Sequence, residues 1–146
     1  MHRRLLPQEA RAAVEQANEY TPSDPIPVGS MNQSALISAL GEPFKTTHQG
    51  DQFFRSMGEK AVMLAYALLR AAPFDELNLR ATAVIFTAFL HKNGYFWTVE
   101  RGEFLPSLEA LEQWASRESW LQELGETATW IEDRIDPINT DEGDAL

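Results

Sequence analysis

Two neighbouring segments of this sequence are apolar on nearly every helical face, and they decide what the rest of the chain must do. Residues 59–72, EKAVMLAYALLRAA, and residues 77–94, LNLRATAVIFTAFLHKNG, follow helical periodicity without a polar side wide enough to face water. A helix that is apolar all round belongs at the centre of a helical assembly. Only Pro73, Phe74, Asp75 and Glu76 separate the two segments, and so short a link predicts an antiparallel pair. Asn93-Gly94 marks the end of the second helix.

The remaining segments supply the surroundings that such a pair needs. Pro7 opens a helix over residues 7–19, and the three prolines of TPSDPIPVG make residues 21–29 a loop. Residues 31–41 predict a short amphipathic helix, with Met31, Ala35 and Ile37/Ser38 on one face and Gly41 as its C-cap. Residues 42–58 carry β-branched and aromatic residues around Gln49-Gly50-Asp51, the pattern of a small hairpin. Beyond a turn-rich stretch at 98–106, two further helices are expected over 105–115 and 120–135, with Trp114, Trp120, Leu124 and Trp130 as core contacts. The expectation is therefore an all-α fold. One helical domain over residues 1–136 is built around the buried antiparallel pair and carries a small β-hairpin. An acidic, flexible tail follows over 137–146.

Composition narrows the function classes. The net charge of −10 is confined to residues 100–146, because the acids and bases of residues 1–99 balance. An acidic segment repels a phosphate backbone, so no nucleic-acid partner is expected. The chain has no cysteine, which excludes disulfides and thiolate chemistry. His2, His48 and His91 show no metal-ligand spacing. With no apolar run of membrane length and no signal-peptide pattern, no membrane partner is expected and the localisation is read as cytoplasmic.

Candidate chemistry sits at the link between the two apolar helices, where the first turn of the second helix presents unpaired N–H groups and the positive end of its dipole. Such a helix start is suited to anions. Glu76 is suited to a divalent cation, Asn78 to a phosphate oxygen and Arg80 to a terminal phosphate. A purely structural account covers the same residues. Asp75 is then an N-cap, Glu76 complements the dipole, and Glu76 and Arg80 form an i,i+4 pair.

The stretch Ala72-Pro73-Phe74-Asp75-Glu76-Leu77-Asn78-Leu79-Arg80 resembles the signature of the Fic/Doc (death-on-curing) superfamily, H-P-F-x-[DE]-G-N-x-R. GEKAVMLAYALLRAA before it, the Phe89-Leu90…Asn93-Gly94-Tyr95 ending after it, and SMNQSALISALGEP at 30–43 are similar to the family frame, so the likeness spans roughly residues 28–135. It implies a Fic/Doc-type helical bundle that binds ATP with Mg²⁺ and transfers AMP or phosphate to a hydroxyl of a protein target. In the Doc branch such proteins are toxins restrained by an antitoxin protein. Position by position, the resemblance makes Glu76 the metal-binding acid, Asn78 and Arg80 the phosphate contacts, and Pro73 and Phe74 the motif core. The segment around Thr46, Thr47, His48 and Gln49 becomes the flap that holds the target by strand addition.

Three positions depart from the signature. Ala72 stands where the family has the His that acts as general base, a role worth typically 10²–10⁴-fold. Leu77 replaces the small residue of the anion hole, and Leu79 removes a further phosphate contact. His91 lies about 16 Å along the helix from Arg80 at 1.5 Å per residue, too far to substitute, and His48 falls in the flap. The autoinhibitory [ST]-x-x-x-E-[GN] pattern is missing, since Leu124 follows the Ser119…Glu123 spacing. The resemblance thus implies a Doc-like pseudoenzyme of the toxin–antitoxin type, with nucleotide-dependent transfer lost or strongly impaired and a binding role retained. The alternatives are an active transferase with altered chemistry and a deliberately inactivated one. Both a monomer and a homodimer remain open.

Overall fold

The computed structural model describes residues 2–98 and 120–138, apart from the side chains of Glu76 and residues 120–123. Among these residues it is mostly helical, with five α-helices and one small two-stranded antiparallel sheet: α1 (Pro7–Tyr20), α2 (Gln33–Gly41), α3 (Met57–Ala71), α4 (Asn78–Lys92), β1 (Tyr95–Trp97), α5 (Trp120–Glu132) and β2 (Ile135–Pro137). The helix expected over 105–115 with Trp114, the side chain of Trp120, the turn-rich stretch beyond Thr98 and the tail from 139 onward lie outside the described residues.

Helix α3 is the central element. Ser56 starts it with a reciprocal cap: its hydroxyl accepts from Glu59 N at 3.0 Å, and the Glu59 carboxylate accepts from Ser56 N at 3.2 Å. From Met57 to Leu68 every residue but Glu59 is buried, and α2, α4 and α5 pack around it. The absence of a polar face in the sequence is thereby explained. Its closest approach is to α5, where Gly58 is required: a Cβ there would lie 2.4 Å from the Ala128 carbonyl oxygen.

The peripheral elements close on this helix. In α1, Ala10 and Val14 are buried, and its first turn is tied to the end of α4 by the Glu9–Lys92 ion pair. The Glu9 carboxylate also accepts from Leu6 N at 2.8 Å. In α2 the buried face is Leu36, Ala39 and Leu40, not the expected Met31/Ala35/Ile37 set; Ile37 is 50% exposed. Gly41 is the last residue of α2 and not a cap, because the chain runs on into a 3₁₀ turn at Glu42–Phe44. The hairpin expected within 42–58 is reduced to one antiparallel bridge, Thr46 with Gln52, around Gly50 at φ +86°. One further backbone bond, from Phe53 N to Lys45 O at 3.0 Å, accompanies it.

The C-terminal part differs most from expectation. Helix α5 ends at Glu132 and not at 135, and β2 pairs antiparallel with β1 through Tyr95–Pro137, Phe96–Asp136 and Trp97–Ile135. Asp136 and Pro137, expected at the start of a frayed tail, are therefore paired. Trp97 accounts for the pairing. Its ring packs 5.2 Å from that of Phe86 and 5.7 Å from that of Trp130, so β1 is drawn onto α4 and α5.

Two measurements check this packing. Gly58→Ala should destabilise by about 1–3 kcal/mol, as an overfilled contact does, whereas Gly125→Ala, in an open stretch of α5, should stabilise by about 0.5–1 kcal/mol. Denaturant melts in which both glycines respond alike would contradict the α3–α5 contact. The second concerns pH. The hydrogen bond from Lys92, seconded by that from Leu6 N, lowers the pKa of Glu9 from its ordinary value of 4.5. The folded value is the lower one, so this stabilisation is present above pH 4.5 and is lost as pH falls through the folded pKa. Glu9→Gln should flatten the acid limb of the stability profile below about pH 4.5. An unchanged acid limb would show the pair to be inert.

Candidate functional site

The link between α3 and α4 is a tightly bonded turn that places two non-glycine residues in the left-handed region. Helix α3 ends on Ala72, which takes the left-handed conformation (φ 46°) and donates its N–H to Leu68 O at 3.0 Å. Asp75 is left-handed as well, at φ 55°, and opens a 3₁₀ turn, Asp75–Leu77, ahead of α4. It does not cap α4, whose start has no side-chain cap at all. Pro73 and Phe74 are buried, and the Pro73 carbonyl accepts from Asn32 N at 2.9 Å, which joins the turn to the start of α2.

Asn78 holds this turn together. It is 6% exposed, donates from Nδ2 to Leu68 O at 2.8 Å and accepts at Oδ1 from Phe74 N at 3.3 Å. Both ends of the amide are engaged with backbone, so the side chain acts as an internal brace between the last turn of α3 and the first of α4. Arg80 is also committed within the chain. Its Nη1 meets the Asp24 carboxylate at 3.0 Å and the Asp24 carbonyl at 2.9 Å, and its Nη2 meets the Thr21 hydroxyl at 3.0 Å. Arg80 therefore pins the proline-rich loop after α1. Leu77 and Leu79 are half-buried against the core, and the Glu76 side chain lies outside the described part. Among the described residues no cluster of three or more His, Asp or Glu has metal-binding geometry.

The flap candidates stand apart from this turn. Thr46, His48 and Gln49 are exposed and Thr47 is half-buried. Thr47 shapes the loop: its N–H donates to Asp51 O at 2.7 Å and its hydroxyl accepts from Asp51 N at 3.2 Å. The loop is anchored from below by Lys60, a residue the sequence did not single out. Lys60 is 1% exposed, and its ammonium donates to Gln52 Oε1 and Arg55 O, each at 2.9 Å. Burial lowers its pKa from the ordinary lysine value. His91, at the C-terminal end of α4, is exposed.

A cavity of about 560 Å³ opens between the base of this loop, α2 and the second half of α3. Its walls include Lys45, Phe53, Phe54, Tyr66 and Arg70. None of the described side chains of residues 72–80 lines it, although Ala71 just before them does. Phe53 and Phe54 were legible only as aromatics of unassigned role. Arg70 carried a weak signal, as the one charge in the second half of an apolar helix. Comparison with protein-family models, with characterised proteins and with solved structures finds no match to this chain.

The role of the turn is measurable. Asn78→Ala should cost about 1–3 kcal/mol, because it leaves the buried Phe74 N–H without a partner. Arg80→Ala removes a partly exposed pair and should cost no more than about 1 kcal/mol. Equal and small losses in urea melts would show that Asn78 is not a brace.

Proposed function

We propose that this chain is a Doc-like protein of the Fic/Doc superfamily that works by binding a protein partner and not by group transfer. In this reading the α3–α4 pair is the buried antiparallel core of a Fic/Doc-type bundle, and the segment over residues 44–56 is its flap. The partner is an antitoxin-like protein or the family's protein target, in a bacterial cytoplasm. One observation carries the reading: the polar residues that the signature would aim at phosphates, Asn78 and Arg80, are already held by Leu68, Phe74, Asp24 and Thr21. Ala72 adds to it, since a methyl group cannot remove a proton from a target hydroxyl.

Asn78 and Arg80, as they are placed, do not fit the phosphates of ATP. Asn78 is 6% exposed with both ends of its amide bonded to backbone, and Arg80 spends its Nη1 and Nη2 on Asp24 and Thr21, so neither side chain is presented to a triphosphate as the signature implies. Half-buried Leu77 and Leu79 offer the phosphates no donor beyond backbone. No transfer step is therefore assigned to this site.

Calorimetric titration with Mg-ATP should show no binding tighter than about 1 mM, the level at which affinity falls to about −4 kcal/mol. Labelled ATP should leave no label on any protein of a bacterial lysate, and Ala72→His should not restore transfer. A labelled band, or micromolar binding lost in Arg80→Ala, would overturn the proposal.

A further inference from the structure

We propose that the cavity beside the flap loop is a binding site for a small planar aromatic molecule carrying a single carboxylate. It reaches the end of α3 at Arg70 and Ala71 without taking in the described side chains of residues 72–80, and the proposal does not depend on the family reading.

The cavity has the size of a small-molecule site, which typically falls at about 300–1,000 Å³, and three features of its walls define the ligand. Phe53 is 55% exposed although it neighbours buried Phe54, with ring centroids 4.9 Å apart. An aromatic face thus remains open to the cavity. Arg70 lines the same cavity. Its Nη1 donates to the Tyr66 hydroxyl at 2.9 Å, and its guanidinium carbon lies 5.7 Å from the Tyr66 ring centroid, so the fork is held in place. Among the described residues Arg70 has no carboxylate partner. The guanidinium therefore has donors left to meet a planar carboxylate in two-point fashion.

The third feature sets the charge. Lys45 is also in the wall, but Glu42 neutralises it at 2.8 Å and itself lines the cavity. The local balance is one positive charge with a carboxylate nearby. This favours a monoanion over a phosphate dianion, which Glu42 would repel. Met63 and Ala67 supply an apolar floor, suited to a ring system and not to a sugar or a polyol.

The test uses 2-naphthoate as probe, with 2-naphthamide as its neutral isostere and 2-naphthyl phosphate as the dianion, followed by calorimetry and by amide chemical shifts. Naphthoate should bind with a Kd on the order of 0.1–1 mM, the affinity expected of a ligand of this size. The amide should bind about tenfold more weakly or worse, through loss of the charge-assisted bonds, and the phosphate more weakly than the acid. Arg70→Gln should abolish the preference for acid over amide, while Phe53→Ala should weaken both. Both side chains are exposed, and circular dichroism verifies that the variants fold. No naphthoate binding by 5 mM, roughly the point below which a specific site is not credible, would overturn the proposal. So would equal binding of acid and amide, tighter binding of the phosphate, or an Arg70→Gln protein with unchanged preference.

Discussion

A helix without a polar face has to be surrounded, and the structure is arranged around that constraint. Helix α3 must be covered on all sides, so α2, α4 and α5 each present an apolar stripe to it. Its one buried charge shows how strict the demand is. A lysine whose ammonium is out of water costs free energy unless its protons are bonded. Lys60 satisfies this by reaching past the edge of the helix to Gln52 and Arg55. The loop over residues 45–55 is consequently held in position by the interior of the protein. The cavity beside it shares that fixed wall, which is what allows a loop to contribute to a preorganised pocket.

Legibility from sequence followed the length of the pattern. Helices α3 and α4 were visible because fourteen or more residues repeat the same demand, and Gly94, at φ +85°, ends α4 where the Asn93-Gly94 pair predicted. Helix α2 was visible as a helix, but nine residues leave the orientation of its stripe to whichever neighbour packs best. There Leu36 and Leu40 face the core in place of Ile37. Strands β1 and β2 are three residues each, too short to show alternation, and they exist because Trp97 has rings to pack against. Tertiary contact, not local propensity, made them.

The turn at residues 72–77 was legible as a break between two helices, and the bonds its residues make were not. Proline and a helix start mark a turn at residues 72–77, but nothing in Ala72 or Asp75 announces a left-handed backbone, a conformation that costs a non-glycine residue about 1 kcal/mol or more. That cost is sustained by bonds that come from elsewhere in the chain: Asn32 to Pro73, and Asn78 to both Leu68 and Phe74. A polar residue placed at a helix start can face a ligand or brace its own backbone, and spacing alone does not distinguish the two. Burial does, and burial is set by the elements packed over the turn.

This bracing has a consequence for how such a turn can change function. The amide of Asn78 has one donor end and one acceptor end, and each already has a buried backbone partner. Its second N–H is the part left for a ligand, and turning the buried amide outward to present it would strain the bonds that hold α3 to α4. Arg80 is under a similar condition through Asp24 and the loop after α1, though a milder one, because that pair is partly in water. Supplying a base at position 72 would change neither condition. A ligand contact at this turn therefore has to be made without withdrawing Asn78 and Arg80 from the bonds that brace the fold.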